Sequence, residues 1–429
     1  MVRRTGPRVS DAKAEKADAK VAVFHPGTQH SWQTARALQD LGRLAFHATS
    51  IRYDPARWPY RLERLPIVGT RLHREFMRFR IPAIDPALVR THGWHEWAER
   101  AAQRAGFPVL AEHIDARGNI AFSAWAAREA RRDGAGAVWG YDNSSLAAFR
   151  ALEGSGITRV LDVTVAPRRV LNCVMGEIEA EWPDFVSPAR RETPDYILNR
   201  CDEELRLADA IVVGSPFVRQ TILDELDEPG LAERIHLLPY CFDEALFEDV
   251  PAPALRPACE PVRLLFVGAI GPRKGAHLLL EAIARIPPEL ATLTMVGSLA
   301  MPERTFARYA DRVTHVPNVP RGEVPGIMAR HDALVLPSYF EGSAISLLEG
   351  LASGLALVQS RNAGLGVTSD TGIMLEELSV EAVETAILSL AKDGDRLLAM
   401  RRAAKVRAQD FSFARYRAHI AALLDKLAI

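Results

Sequence analysis

Short apolar runs rich in β-branched residues alternate along the chain with segments in which apolar positions recur every three or four residues. This alternation predicts parallel β-α-β units. A first series of predicted strands comprises residues 21–25, 43–50, 137–142, 158–164, 210–215 and 235–239. A second, more closely spaced series comprises 264–268, 293–297, 313–317, 333–338 and 356–360. We predict an α/β protein of two doubly wound Rossmann-like domains, with ligands in an interdomain cleft beyond the carboxyl ends of the strands.

The pattern also predicts where the domains begin and end. The length of 429 residues favours two domains over one. The segment EDVPAPALRPACEPVR holds four prolines and is typical of a linker. We predict a disordered charged tail (1–20), a first domain (21–247), a linker (248–262), a second domain (263–411) and a closing helix (412–429) that packs back on the first domain.

Composition narrows the class of protein. Apolar residues make up 48% and charged residues 25%, as in soluble globular proteins, and the net charge of −1 gives no reason to expect nucleic acid. The four cysteines form no CxxC pair, which argues against a zinc site or a disulfide framework. No run approaches the roughly 18 apolar residues of a membrane span. We expect a cytoplasmic protein.

The segment PSYFEGSAISLLEGLASGLALVQS (337–360) carries two glutamates beside glycines and small side chains. Glu341 falls in the predicted strand-to-helix turn, and Glu349 about two turns into a helix that starts near Ser343. Unpaired N–H groups of residues 342–345 would attract phosphate or hydroxyl groups. Two carboxylates could hold two sugars through their vicinal hydroxyls. Alternatively, Glu341 is a helix-start charge and Glu349 a solvated surface residue.

The segment GAIGPRKGAHLLLEAIARI (268–286) predicts a strand end, a glycine-rich turn and a helix. Arg273 and Lys274 on this turn suit a pyrophosphate. The alternative is an exposed loop with ordinary surface charges. The turn is neither a P-loop nor a GxGxxG fingerprint, so it gives little support to a nucleoside triphosphatase or a dehydrogenase.

Several segments resemble the nucleotide-sugar domain of retaining GT-B glycosyltransferases of family 4, the glycosyl transferases group 1. They are LLFVGAIGPRKGAHLLLEA, LTMVGS, HDALVLPSYFEGSAISLLEGLASGLALVQS and TGIMLEE, and the likeness covers residues 200–429. It implies a metal-independent, hexosyltransferase-like enzyme that uses a nucleoside diphosphate sugar as donor substrate and needs no cofactor. The implied acceptor is a hydroxyl group.

The resemblance also implies roles for individual residues. Glu349 would bind the donor ribose and Glu341 the donor sugar, while Arg273 and Lys274 would neutralise the diphosphate leaving group. The predicted catalytic set is Glu341, Arg273 and Lys274, together with Asp142 from its place after a predicted strand. The predicted donor-binding set is Glu349, Gly342, Ser343, Ala344, Ile345, Gly271, Val319 and Pro320, with the last two beside the base, together with Gly27 and Thr28 of the first domain.

The chain departs from the family pattern at three places. Ala269 stands where many members have an arginine, and Cys241 where glycine is common. The first half lacks the usual histidine after the strand preceding the cleft, and Tyr141 or Asp142 stands there instead. These departures leave the geometry of the acceptor open.

The first domain offers further acceptor-side candidates. In HPGTQHSWQTARAL (25–38), Gly27 and Thr28 are predicted to face the cleft, and His30 to contact phosphate or acceptor or else to cap the helix. Asp142 and Asp162 both end predicted strands. Either could orient an acceptor hydroxyl, although aspartates at strand ends also cap helices.

Residues 52–80, called the basic segment below, carry eight arginines against Asp54, Glu63 and Glu75, a balance of 8 − 3 = +5, with aromatic residues interleaved. This composition suits an anionic membrane at the inner face or a lipid-linked, cell-envelope acceptor. The alternative is a packed helical insertion whose arginines are paired internally.

The tripeptide DGD (393–395) resembles the Asp-x-Asp metal motif of GT-A enzymes. We interpret Asp395 as the N-cap of a helix beginning near Arg396 and predict no metal. Two other functions remain open: a phosphorylase or epimerase of the same fold, and a non-catalytic scaffold subunit.

Overall fold

The computed structural model describes residues 19–27, 30–66, 69–81, 83–257 and 259–429, with Arg78 described by its backbone only. The tail predicted for residues 1–20 falls almost entirely outside this range, and Thr28 lies outside it as well.

A seven-stranded sheet is formed by the first half of the chain. Its strand order is β3-β2-β1-β4-β5-β6-β7, and the neighbours from β3 to β5 run parallel. The strands are β1 Val21–Phe24, β2 Leu44–Thr49, β3 Val89–Thr91, β4 Ala137–Tyr141, β5 Thr158–Val163, β6 Ala210–Val213 and β7 Ile235–Leu237. The α-helices of this half are α1 Ser31–Asp40, α2 Gly69–Phe76, α3 Trp94–Arg104, α4 Pro108–Arg132, α5 Leu146–Leu152, α6 Arg168–Glu181, α7 Asp195–Leu207, α8 Pro216–Glu225 and α9 Leu231–Arg234.

A six-stranded parallel sheet is formed by the second half, in the order β10-β9-β8-β11-β12-β13. Its strands are β8 Val262–Val267, β9 Ala291–Val296, β10 Val313–Val316, β11 Ala333–Leu336, β12 Ala356–Ser360 and β13 Gly372–Leu375. The helices are α10 Ala276–Arg285, α11 Glu303–Phe306, α12 Val324–Met328, α13 Ile345–Ala352, α14 Val380–Lys392, α15 Gly394–Arg407 and α16 Phe413–Leu427.

Each sheet has a point where the strand order reverses, between β1 and β4 in one and between β8 and β11 in the other. The central strands are buried on both faces, as their apolar, β-branched sequences require. In doubly wound sheets, ligands bind beyond the carboxyl ends of the strands at such a reversal. The turn after β8 and the turn after β11, which carry Arg273, Lys274 and Glu341, both lie at one of these points.

The prediction of an α/β protein with two doubly wound sheets is confirmed. All eleven predicted strands form, but β3 and β13 fall outside the predicted set because they are only three and four residues long and partly exposed. The assignment of the N-cap to Asp395 is wrong. Asp393 caps α15, and its carboxylate accepts a hydrogen bond from the backbone N–H of Arg396 at 2.9 Å.

The chain divides into two compact units. The first runs up to Asp162 and includes Asn199–Val212 and Arg417–Ile429, and the second comprises Val163–Leu198 and Val213–Tyr416. The domain boundaries predicted from the sequence stay a prediction.

Candidate active site

The turn that follows β8 presents two cations from a tightly constrained backbone. Gly271 precedes a 3-10 turn at Pro272–Lys274, and Gly275 adopts a left-handed conformation with φ of +67°. A Cβ at Gly275 would lie 1.9 Å from the carbonyl oxygen of Pro337, so only glycine fits there. The turn therefore packs directly against the end of β11, and this packing fixes the positions of Arg273 and Lys274.

Glu341 contacts both cations. Its Oε1 lies 3.1 Å from Arg273 Nη1 and 2.5 Å from Lys274 Nζ, and it accepts a hydrogen bond from Ser338 Oγ at 3.2 Å. Arg273 also donates to the Phe340 carbonyl at 2.6 Å. Burial lowers the pKa of Lys274, and the charge of Glu341 opposes that shift. We call Arg273, Lys274 and Glu341 the cation–carboxylate cluster.

Glu349 lies in a different environment. It is 9% exposed, and burial raises its pKa to about 7; Arg321 opposes this shift, and Asp243 adds to it. The nearest cation is the Arg321 guanidinium, 3.9 Å from Glu349 Oε1. The alternative that Glu349 is a solvated surface residue is therefore wrong. A buried carboxyl group with a raised pKa and one distant cation is typical of a functional site.

The helix that carries Glu349 begins at Ile345, two residues later than predicted, and Glu349 lies little more than one turn into it. The backbone N–H of Ala344 is not free, because it donates to the Ala363 carbonyl at 3.0 Å. Gly342 packs so closely that a Cβ would lie 1.7 Å from the Thr164 carbonyl oxygen. Ser343 is half-buried beside this turn.

The loop predicted to lie beside the base follows β10. Val319 is half-buried and Pro320 is exposed, and Pro320 precedes the 3-10 turn that carries Arg321. The contact between Arg321 and Glu349 brings this loop beside the carboxylate predicted to bind ribose. Base and ribose would be neighbours in such an arrangement.

A pocket of about 450 Å³ opens beside the cation–carboxylate cluster. It is lined by Gly271, Arg273 and Lys274, and also by Arg190 and Arg191 from the loop between α6 and α7. We call it the arginine pocket. Arg190 and Arg191 were not among the predicted site residues, because no strand or helix pattern in residues 183–193 marks that loop as facing a site.

The first unit places its predicted site residues around the ends of β1 and β4. The Gly27 N–H donates to Nδ1 of His25 at 3.0 Å, and the His25 ring packs edge-on against Tyr141 with centroids 5.4 Å apart. Burial lowers the pKa of His25. His30 directly precedes α1, but its side chain makes no capping hydrogen bond. His25 is a site candidate that the sequence patterns missed, although a histidine directly after a strand is a usable signal.

Asp142 and Asp162 differ in environment. Asp162 is fully buried, and its carboxylate accepts a hydrogen bond from the Trp139 indole at 3.2 Å. Asp142 lies just beyond β4, where its N–H donates to the Asp162 carbonyl at 3.0 Å. Asp162 is thus engaged within the sheet, whereas Asp142 lies at its edge.

The basic segment is partly packed and partly exposed. Tyr60 and Phe76 are buried with Ile51, and Tyr53, Leu72, Phe79 and Trp97 pack against them. Arg57 pairs with Asp54 at 3.3 Å. Trp58 is 78% exposed, and exposed arginines surround it in the sequence. The packed part agrees with a helical insertion, and contact of the exposed part with a membrane stays a prediction.

The part of the chain that the structure describes holds neither a cluster of metal ligands nor a membrane-spanning helix. There, no group of three or more histidine, cysteine, aspartate or glutamate residues could hold a metal ion. Within the same residues, no helix is long and apolar enough to cross a bilayer.

Solved structures of GT-B proteins share this fold. Anabaena HepE, solved with UDP and glucose, is 14% identical with a TM-score of 0.58 and aligns over 95% of this chain and 100% of its own. Sucrose-phosphate synthase from Thermosynechococcus elongatus is 18% identical with a TM-score of 0.61, and it aligns over 95% of this chain and 99% of its own. The predicted GT-B fold class is confirmed.

Sequence comparison finds a family model and several relatives that resemble part of this chain. Residues 261–393 match the family model described as glycosyl transferases group 1. Glycogen synthase from Mycobacterium tuberculosis is 30% identical over 213 residues, 47% of this chain and 50% of the relative. D-inositol 3-phosphate glycosyltransferase from Rhodococcus opacus is 30% identical over 165 residues, which are 34% of this chain and 37% of the relative. The chain thus spans half or less of the length of these relatives.

Proposed function

We propose that the protein is a retaining glycosyltransferase that moves a hexose-type sugar from a nucleoside diphosphate sugar to a hydroxyl acceptor, without a metal ion. The observation that carries the proposal is the cation–carboxylate cluster at the strand reversal of the second sheet, with the buried Glu349 in the helix that follows. The family match over 261–393 supports the reaction class, and the UDP complex of the HepE neighbour supports a nucleotide-sugar donor.

Charge stabilisation is the main chemical task of this cluster. When the bond between the anomeric carbon and the diphosphate breaks, its electron pair goes to the diphosphate oxygen, where Arg273 and Lys274 offset the growing charge. The acceptor oxygen forms the new bond on the same face of the sugar, and its proton passes to the leaving diphosphate. No protein nucleophile and no external reactant are needed.

Glu341 has two tasks in this proposal. Its Oε1 holds Arg273 and Lys274 in place before the donor arrives, so these cations need no reorganisation during the reaction. All of its contacts described above involve Oε1, which leaves Oε2 to accept a hydrogen bond from a hydroxyl of the donor sugar. Glu349 accepts hydrogen bonds from the ribose, and Val319 and Pro320 contact the base.

Asp142 and His30 are assigned to the acceptor side, with Asp142 orienting the acceptor hydroxyl. Asp142 lies at the carboxyl end of β4, next to the strand reversal of the first sheet. In the absence of the usual histidine, His25 supplies an imidazole in contact with Tyr141, the last residue of β4.

Calorimetric titration with UDP-, GDP-, ADP- and dTDP-sugars tests the donor site. We expect one nucleotide to bind best, and its affinity to fall in Glu349→Ala but not in Glu377→Ala, which removes an exposed glutamate of the same unit. Failure of every nucleotide to bind would contradict the proposal and favour a scaffold. Sugar release to free phosphate in place of a hydroxyl acceptor would indicate a phosphorylase.

We further propose that the basic segment contacts an anionic membrane at the cytoplasmic face, where a lipid-linked or cell-envelope glycan acceptor would be reached. Trp58, Leu62 and Leu65 are 78%, 38% and 47% exposed, among exposed arginines. Interfacial tryptophan with surrounding arginine favours such surfaces. Sedimentation with phosphatidylglycerol vesicles, but not phosphatidylcholine vesicles, is expected, and Trp58→Ala should weaken it. Equal sedimentation with both lipids would exclude charge recognition.

A further inference from the structure

The arginine pocket holds two pairs of cationic side chains from separate segments of the chain. Arg273 and Lys274 come from the turn after β8, and Arg190 and Arg191 from the loop between α6 and α7. We propose that Arg190 and Arg191 bind a second anion, a phosphate or carboxylate group carried by the acceptor. This inference rests on the proposed function, because the first pair is assigned there to the donor diphosphate.

Charge balance supports a second anion. None of the described residues that line the pocket carries a carboxylate, whereas four carry a positive charge. Glu341 offsets part of the charge of Arg273 and Lys274, and Arg190 pairs with Glu179 at 2.8 Å and with Glu192 at 3.8 Å. Arg191 pairs with no carboxylate among the described residues. A donor diphosphate satisfies the first pair and leaves positive potential at the second, which attracts another anion.

A specific backbone tie holds the second pair in place. The Asn172 side chain on α6 donates from Nδ2 to the Thr193 carbonyl at 3.0 Å and accepts the Thr193 N–H at 3.0 Å. These two hydrogen bonds hold the loop to α6 at Thr193, two residues after Arg191. Binding an anion there requires less ordering of the backbone than on a free surface loop, so the segment that carries the two arginines is preorganised.

The size and the apolar lining of the pocket indicate that the anion is carried on a larger body. A volume of about 450 Å³ lies within the range of small-molecule sites, far above the size of one phosphate ion. Leu171, Met175, Leu299 and Met301 line it beside the cations. A sugar or polyol phosphate, a sugar carboxylate and a phospholipid headgroup share this chemistry.

Binding of inorganic phosphate to the protein saturated with pyrophosphate or with its preferred nucleoside diphosphate tests the site. We expect calorimetry to detect phosphate binding, and Arg191→Gln to weaken it by about tenfold, the effect of losing one charge-assisted hydrogen bond. Diphosphate affinity should change less than twofold. Lys274→Ala should instead weaken mainly the diphosphate, and Arg402→Gln, an exposed arginine outside the pocket, should change neither.

Two results would overturn the assignment. One is the absence of phosphate binding once the diphosphate is bound, and the other is an equal loss of diphosphate and phosphate affinity in Arg191→Gln. The second result would assign all four cations to the donor. If no nucleotide binds, the proposed function fails by itself, whereas the pyrophosphate arm still tests Arg190 and Arg191.

Displacement of the bound phosphate distinguishes the sources of the anion. Glucose 6-phosphate and glucuronate are compared with glucose, and phosphatidylglycerol vesicles with phosphatidylcholine vesicles. We expect at least one anionic member to displace phosphate and neither neutral member to do so. Displacement by glucose, or by none of the anionic members, would contradict a site for a carried anion.

Discussion

Glu341 and Glu349 are eight residues apart in sequence, but their surroundings differ. At Glu341, two cations and one hydroxyl group converge on a single carboxylate oxygen. At Glu349, the carboxyl group is buried, and its nearest cation is 3.9 Å away, so its pKa rises to about 7. Oε1 of Glu341 is therefore engaged before any ligand binds, whereas the carboxyl group of Glu349 is left for the ligand to satisfy.

The largest expected effect comes from removing a cation of the cation–carboxylate cluster. Lys274→Ala should lower kcat for sugar transfer by about 100- to 1000-fold, because one charge that stabilises the leaving group is lost. Steady-state kinetics measure this, and Lys392→Ala, at the exposed end of α14, is the matched control. A rise in KM with kcat unchanged would mean that Lys274 binds the ground state and the transition state equally and gives the transition state no extra stabilisation.

Glu349→Ala should weaken binding of the preferred nucleotide by about 10- to 100-fold, because a charge-assisted hydrogen bond to ribose is removed. Calorimetry with the nucleotide and with its 2′-deoxy analogue sharpens the assignment. The deoxy analogue should bind the wild type more weakly and should lose less affinity in the variant. An equal loss for both nucleotides would place Glu349 away from the 2′-hydroxyl.

Glu349→Gln should stabilise the ligand-free protein by on the order of 2 kcal/mol at pH 8. The folded-state pKa of about 7 lies above the usual value of 4.5. The protonated form therefore contributes stability below pH 4.5, and this contribution is lost as the pH rises through 7. Denaturant unfolding at pH 5 and pH 8 measures the difference, with Glu377→Gln as control. A gain of equal size at pH 5 would exclude ionisation of Glu349 as the cause.

The smallest expected effect is on the pH dependence of nucleotide affinity. Since ribose hydroxyl groups donate to the ionised carboxylate, affinity should fall as the pH decreases from 8 to 6 through the pKa of about 7. The change should be about tenfold or less, one factor of ten for each pH unit below the pKa. Glu349→Gln should remove this component, and an unchanged pH profile in that variant would assign it to another group.

The sequence patterns predict the strands well because buried parallel strands are continuous apolar runs. The short strands β3 and β13 are not predicted, because three or four partly exposed residues carry little hydrophobic periodicity. Glu341, Arg273 and Lys274 are predicted as site residues, yet their direct contact depends on β8 and β11 being neighbours in the sheet. The start of α13 also depends on a tertiary contact, because the backbone N–H of Ala344 donates a hydrogen bond to the Ala363 carbonyl. Arg190 and Arg191 lie in an irregular loop, and only the fold brings them to the pocket.

The tie between Asn172 and Thr193 has a consequence for how this protein can diversify. The two residues are 21 positions apart and both line the arginine pocket, and their paired hydrogen bonds hold the end of the loop to α6. These bonds do not involve the side chains of Val186, Ser187, Ala189, Arg190 and Arg191, which line the pocket from the same loop. Residues inside this loop can be substituted while the hydrogen bonds between Asn172 and Thr193 are kept. We expect descendants of such a chain to acquire new ligand preferences there through single substitutions, with both sheets inherited unchanged.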